Sequence, residues 1–271
     1  MPELPEVETT LNGIRPHIKS QKINKIVIRQ HNLRWPVPDN LTDILTGQTL
    51  QMAERRGKYI LFHFKKGTLI LHLGMSGSLR ILTSDIPAQK HDHIDITFAN
   101  KKILRLRDPR RFGACLWTDE DPAMHLLIKN LGPEPLNQNF NGNYLYDLSR
   151  RRNIAIKSFI MNSKIVVGVG NIYAAEALFA SGIHPNTPAK NISVQKFDEL
   201  TKQIKKILQK SITKGGTTLK DFVDSEGKPG YFSQQLKVYG REGLPCVHCK
   251  TPLQGLRLGQ RSTVFCKKCQ K

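Results

Sequence analysis

Four cysteines fall in the last 26 residues, as Cys246 with Cys249 and Cys266 with Cys269, and 16 residues separate the two pairs. Thiolates are soft ligands, and two such knuckles at this spacing can close a tetrahedron round Zn²⁺. The metal would then stand in for the apolar core that so short a segment cannot build. The alternatives, two disulfides or a redox dithiol, are disfavoured in a reducing compartment. The fifth cysteine, Cys115 in Phe-Gly-Ala-Cys-Leu-Trp, lies in an apolar strand-like run and reads as an inert buried thiol. Charge suggests a second chemistry. Lys and Arg number 42 against 22 Asp and Glu, a net charge of +20. Such a surplus points to a polyanion, either nucleic acid or an anionic membrane surface. Basic clusters stand at 55–58, 105–111 and 150–152, and residues 237–271 carry eight Lys or Arg against one acid, Glu242. One such cluster is ordinarily a solvated face; three of them with a basic tail favour phosphate binding.

These groups need a scaffold, and the chain divides into two textures. Residues 5–18 read as an opening helix, with Pro5 at its start, Glu6 and Glu8 in the first turn, and an apolar stripe of Val7, Leu11, Ile14 and Ile18. From about 23 to 118 short alternating runs follow. Ile23–Arg29, Lys58–Phe64, Thr68–Met75, His93–Ala99 and Ile103–Arg107 read as strands of a sandwich or barrel. After Leu131 a Gly-Pro-Glu-Pro stretch and the Asn-rich 137–143 segment read as a linker. The pattern then turns helical, at Asn171–Ala180 and at Val194–Ile212. Residues 213–235 return to loop composition before the cysteine-rich tail.

Composition also excludes. At 39% hydrophobic residues the chain is not wholly disordered. No stretch approaches the ~18 consecutive apolar residues of a membrane span. The acidic, Pro-rich N-terminus carries no secretory signal, so a cytosolic chain is expected.

Several separate motifs resemble one family. They are Pro-Glu-Leu-Pro-Glu-Val-Glu-Thr at 2–9, Arg-Arg-Gly-Lys at 55–58, Lys-His-Asp-His at 90–93, Asp-Pro-Arg-Arg-Phe-Gly at 108–113, Gly-Val-Gly-Asn-Ile-Tyr at 168–173 and the terminal cysteine pattern. In order and over essentially the whole chain, they resemble the bacterial formamidopyrimidine-DNA glycosylases, also called 8-oxoguanine DNA glycosylases. The resemblance implies an α+β multidomain fold. It consists of an N-terminal two-sheet β-sandwich with a long first helix (1–131), a linker (132–150), a helix–two-turn–helix domain (151–235) with a lesion-capping loop at 217–231, and a zinc finger (236–271). It implies a base-excision-repair enzyme that removes oxidised purines from damaged double-stranded DNA through a Schiff base and then cuts the strand by β,δ-elimination. One structural Zn²⁺ is implied, with no nucleotide cofactor, no membrane partner, a monomer, and a bacterial cytoplasm.

The resemblance also assigns residues. Pro2 is its nucleophile, which requires loss of Met1; an α-amine has a pKa of about 8, and a helix N-terminus lowers it. Glu3 is its acid/base and otherwise a first-turn carboxylate. Lys58 matches the proton donor for β-elimination. Arg261 matches the donor assigned to δ-elimination, although a guanidinium suits a phosphate clamp better. His91, Arg110 and Arg151 match DNA-binding positions. Met75, Arg110 and Phe112 match a trio that fills the gap left by a flipped nucleotide, while Met75 and Phe112 would otherwise be strand packing. Asn171 matches a phosphate site at a helix start, or is a simple cap. Two other readings remain at this point. One is endonuclease VIII, of the same superfamily and acting on oxidised pyrimidines; the other is a non-catalytic nucleic-acid-binding zinc protein.

Overall fold

The computed structural model describes every residue except Met1, Ser84, Asp85 and 217–234. The capping loop expected at 217–231 therefore lies outside the described residues. The chain forms two compact units, one of residues 1–130 with 214–231, the other of 131–213 with 232–271.

The first unit opens with helix α1 (Leu4–Ile18), one residue earlier than the periodicity suggests, because Glu3 takes extended backbone and acts as N-cap. The Glu3 backbone N–H donates to Glu6 Oε2 at 2.8 Å, half of a reciprocal capping box. Val7, Leu11, Ile14 and Ile18 are all buried in the core, as their spacing demands. After it come β1 (Ile23–Ile28), the short α2 (Leu41–Leu45), β2 (Met52–Arg56), β3 (Tyr59–Phe64), β4 (Gly67–His72), β5 (Ser78–Leu82), β6 (Asp92–Phe98), β7 (Ile103–Arg107) and β8 (Ala114–Thr118). They make two four-stranded antiparallel sheets, ordered β1-β6-β7-β5 and β2-β3-β4-β8. Ile26, Ile94, Ile96, Leu104 and Leu106 of one sheet join Ile60, Phe62, Leu69 and Leu71 of the other in a single core with α1. Cys115 lies fully inside it, and burial pushes its thiol up to about 12.

Two expectations shift here. The strand read as Thr68–Met75 ends at His72, so Met75 sits in a turn. The basic clusters at 55–58 and 105–111 are not uniformly solvent-facing: Arg55 Nε donates to Glu8 Oε2 at 2.6 Å, and Arg105 is buried against Asp95.

The second unit holds α3 (Gly142–Ser149), α4 (Ile156–Met161), α5 (Asn171–Ala180), α6 (Val194–Thr213) and the hairpin β9 (Gln254–Leu258) with β10 (Arg261–Phe265). The segment expected as a linker at 132–150 contains α3 and belongs to this unit. Asn141 caps α3 by accepting from Tyr144 N–H at 3.0 Å, so an Asn-rich stretch that reads as loop starts a helix. Helix α3 packs on α6, and Tyr173 of α5 meets Ser211 of α6 at 2.6 Å between hydroxyls. Helices α4 and α5 are joined by the turn-rich segment 162–170.

Candidate functional site

Pro2 and Glu3 are both buried at the N-terminal end of α1, Glu3 with 2% of its surface exposed. The positive end of the helix dipole points at them. Helix α1 packs against β2 and β3, the hairpin that carries Lys58. Arg56 pairs with Tyr59 across a two-residue Gly57-Lys58 loop. Gly57 has φ 59°, which a II′ turn requires at that place and which a side chain resists. Lys58 is thereby held at the tip, half-buried.

Beside it stands a residue that sequence reasoning missed. His72 pairs with Tyr59 across β3 and β4, ring centroids 4.8 Å apart. Its Nδ1 accepts from Gly74 N–H at 3.0 Å, which places any ring proton on Nε2. Burial first, then the charges of Lys58 and Arg34, push the imidazole down to about 4, so it is neutral at physiological pH. Nothing in its local sequence marks it; the signal lies across the sheet.

Met75, Arg110 and Phe112 come together on two adjoining turns of this unit. Ser76 Oγ donates to Asp108 Oδ1 at 2.8 Å, and Arg110 N–H donates to Ser76 Oγ at 3.2 Å. The Arg110 guanidinium lies 4.9 Å from the centroid of the Phe112 ring. Phe112 is 43% exposed and lies outside any strand, so it does not pack within a sheet. With Asn32, Leu33, Arg34 and Arg111 these two line an open depression of about 450 Å³. His91 is half-exposed with φ 126°, a strained value for a residue bearing a Cβ.

In the second unit Asn171 is the first residue of α5, entered through Gly170 as N-cap. Its side-chain Nδ2 donates to the Ser262 carbonyl at 3.1 Å. Lys157, missed by the sequence reading, is 1% exposed and donates to Ser262 O at 3.2 Å and Thr263 Oγ1 at 2.8 Å. Two nitrogen donors thus anchor β10 immediately after Arg261. Arg261 itself is exposed, just beyond the Gly259-Gln260 turn, whose φ values of 51° and 63° both fall in the left-handed region. Arg151 is exposed behind α3.

The four tail cysteines converge, with all sulfurs within 4.8 Å of one another. Cys246 and Cys269 sulfurs are 3.9 Å apart, those of Cys249 and Cys266 3.4 Å. Tetrahedral Zn–S bonds of about 2.3 Å put sulfurs about 3.8 Å apart, so the set fits one Zn²⁺. Hydrogen bonds from Thr251 lower the Cys249 thiol to about 6, whereas burial raises Cys266 and pushes Cys269 up to about 12, so thiols this close need a cation among them to be held together as thiolates. With four sulfurs closing the shell no position is left for a reacting water, which makes the site structural.

Comparison with known proteins extends this geometry. The family model described as "Formamidopyrimidine-DNA glycosylase N-terminal domain" matches residues 1–115. "Formamidopyrimidine-DNA glycosylase H2TH domain" matches 131–223, and "Zinc finger found in FPG and IleRS" matches 243–271. The formamidopyrimidine-DNA glycosylase of Marinobacter nauticus is 53% identical over 271 residues, and that of Cellvibrio japonicus 55%, each covering 100% of both chains. Among solved structures, the MutM (Fpg) protein of Thermus thermophilus is 32% identical with a TM-score of 0.89, covering 99% of this chain and 98% of that one. The Lactococcus lactis Fpg (MutM), solved in complex with a Fapy-dG-containing DNA, is 34% identical with a TM-score of 0.90, covering 99% of this chain and 100% of that one. Among the described residues no helix is long and apolar enough to cross a membrane.

Proposed function

The chain belongs to the formamidopyrimidine-DNA glycosylase family, and from that premise we propose how its residues carry out the family's reaction. The protein is a base-excision-repair glycosylase for oxidised purines with AP lyase activity, and its partner is damaged duplex DNA. One structural Zn²⁺ on Cys246, Cys249, Cys266 and Cys269 closes the terminal hairpin.

In our reading the nucleophile is Pro2, freed by removal of Met1. Its nitrogen lone pair attacks C1′ of the everted nucleotide. The C1′–N9 bond breaks, and the base leaves with the electron pair, taking up the proton that the Pro2 nitrogen gives up as its new bond forms. Glu3 protonates O4′ as the sugar ring opens, which leaves an iminium between Pro2 and C1′. Loss of a C2′ proton then expels the 3′ phosphate, and a second elimination expels the 5′ phosphate. Lys58 serves the protons of these steps from the hairpin tip. Arg261 holds a phosphate, since a guanidinium stays charged throughout. Met75 and Phe112 occupy the opened base step, and Arg110 pairs with the orphan base. His91, Arg151 and the N-terminus of α5 at Asn171 take backbone phosphates. We also propose a monomer acting in the bacterial cytoplasm, where thiolates stay reduced.

The observation that carries this reading is the buried Pro2–Glu3 pair at the N-cap of α1, packed on the hairpin that presents Lys58. Borohydride should trap a covalent complex between Met1-free protein and 8-oxoguanine-containing duplex. One residue added ahead of Pro2 should abolish it. Undiminished trapping by a blocked N-terminus would remove the proline from the mechanism.

A further inference from the structure

Asp108 is fully buried, and its side chain accepts from three donors on two segments. Ser76 Oγ reaches Oδ1 at 2.8 Å, Arg110 N–H reaches Oδ1 at 3.3 Å, and Gly113 N–H reaches Oδ2 at 2.8 Å. Its main chain ties in a third segment. Asp108 N–H donates to the His91 carbonyl at 3.0 Å, and its own carbonyl contacts His93 Nε2 at 2.8 Å. The two turns are also pressed together. A Cβ at Gly74 would overlap the backbone of Phe112, and one at Gly113 would lie 3.0 Å from Asp108 Oδ2. Neither segment is a regular element, so nothing in a sheet ladder fixes Met75, Arg110 or Phe112 in place. One buried side chain spans the gap between them.

We propose that Asp108 is a positioning residue for base eversion. It locks the turn bearing Met75 to the turn bearing Arg110 and Phe112, and holds His91 in its strained conformation beside them. This rests on the assignment of Met75, Arg110 and Phe112 to the opened base step. Wedge residues act only if they enter the stack together, and errors of about 1 Å in such placements cost up to about 100-fold in rate. The lock should matter for a paired lesion, whose extrusion costs a few kcal/mol, and far less for an abasic nucleotide, which has no base to unpair.

The test compares Asp108→Asn, Ser76→Ala, Met75→Ala and Phe112→Ala in the full-length zinc-loaded protein. Asn keeps the volume but turns an N–H₂ toward donors that need an acceptor. Single-turnover excision at 8-oxoguanine opposite cytosine should fall about 10–100-fold in D108N, while cleavage at a preformed abasic site falls about threefold at most. Fluorescence of 2-aminopurine beside the lesion, which brightens on unstacking, should lose its response. S76A, which removes the Ser76 bonds to Asp108 and to Arg110 N–H but leaves Asp108 bonded within its own turn, should show the same pattern at about 3–10-fold and decides the matter if D108N does not fold. Equal losses on both substrates with the fluorescence response intact would mean a merely structural Asp108 and overturn the proposal. Normal excision by D108N and S76A with a slow F112A would overturn it while leaving the wedge assignment standing. Normal excision and fluorescence in M75A and F112A would overturn the wedge assignment itself.

Discussion

The Arg105 guanidinium grips the Asp95 carboxylate with two parallel hydrogen bonds, Nε to Oδ1 and Nη2 to Oδ2, both 2.8 Å. The two residues are direct cross-strand partners of β6 and β7. Asp95 also takes Arg29 at 2.7 Å, and Arg105 reaches Asp92 at 3.4 Å and the Ile86 carbonyl at 3.0 Å. Planar bidentate pairing of this kind is a strong charge-assisted contact. The network fastens the chain just ahead of His91 to the sheet.

Removing one partner from such a pair strands the other. Arg105→Ala should destabilise the first unit by about 3–5 kcal/mol, because Asp95 keeps its charge with less compensation. Chemical denaturation followed by the intrinsic tryptophan signal checks this. A cost below about 1 kcal/mol would class the pair with surface ion pairs.

The same pair has an acid limb. Burial alone would raise the Asp95 carboxyl, but hydrogen bonds from Arg105 and Arg29, and then their charges, more than reverse this and hold it below 3.8. A depressed carboxylate gives stability that is complete above its unfolded pKa and is lost as pH falls through the folded value. The loss therefore belongs below about pH 4. Asp95→Asn should be less stable at pH 7 and should flatten the acid limb there; an unchanged acid limb would place the titrating groups elsewhere.

His72 titrates higher. Burial, then Lys58 and Arg34, depress it from 6.5 to about 4. The unfolded chain thus binds its proton first. Stability is full above pH 6.5 and falls as pH drops toward 4, by up to about 3 kcal/mol before solvent screening trims it. The ring protons of His72 should show no midpoint above pH 5 in an NMR titration. A midpoint near 6.5 would mean the Gly74 N–H bond does not hold the neutral ring.

Much of the scaffold is written locally and some of it is not. The stripe Val7, Leu11, Ile14, Ile18 and the alternating runs of β1, β3, β6 and β7 show in the chain because one face of each is apolar. Strand β2 does not, since Glu54, Arg55 and Arg56 mask it and the partner of Arg55 is Glu8, 47 positions away. Arg105 read as part of a phosphate-binding cluster because no local pattern places Asp95 opposite it. The cysteine set was legible by spacing alone. Pro2, Lys58 and Arg261 came from motif resemblance, and His72, Asp108 and Lys157 emerge only where strands and turns from distant sequence meet.

The charge surplus of +20 predicts a salt law. If about 5 phosphates are neutralised on lesion duplex, log affinity should fall with log salt at a slope near −4.5. Arg151→Ala should make that slope shallower, by up to about 1. Titrations at several salt concentrations measure it. A flat response would put the surplus away from the DNA.

Zinc removal should separate binding from the sandwich core. The cysteines share a small core with Ala175, Phe179, Val238, Leu253 and Val264, and Gln270 links Cys266 N–H at 2.9 Å to the Ile183 carbonyl at 2.9 Å. Without the metal four crowded thiols lose their common ligand, and the β9–β10 hairpin that presents Arg261 loses its anchor at the base. A chelator should release one zinc per chain and weaken lesion-duplex binding at least about tenfold, a change of about 1.4 kcal/mol. The first unit, whose core contains none of these residues, should keep its unfolding transition. Cys249→Ser should reproduce the loss, because three thiolates and a hydroxyl bind zinc poorly. Unaltered DNA affinity after complete zinc release would leave the hairpin with no part in binding.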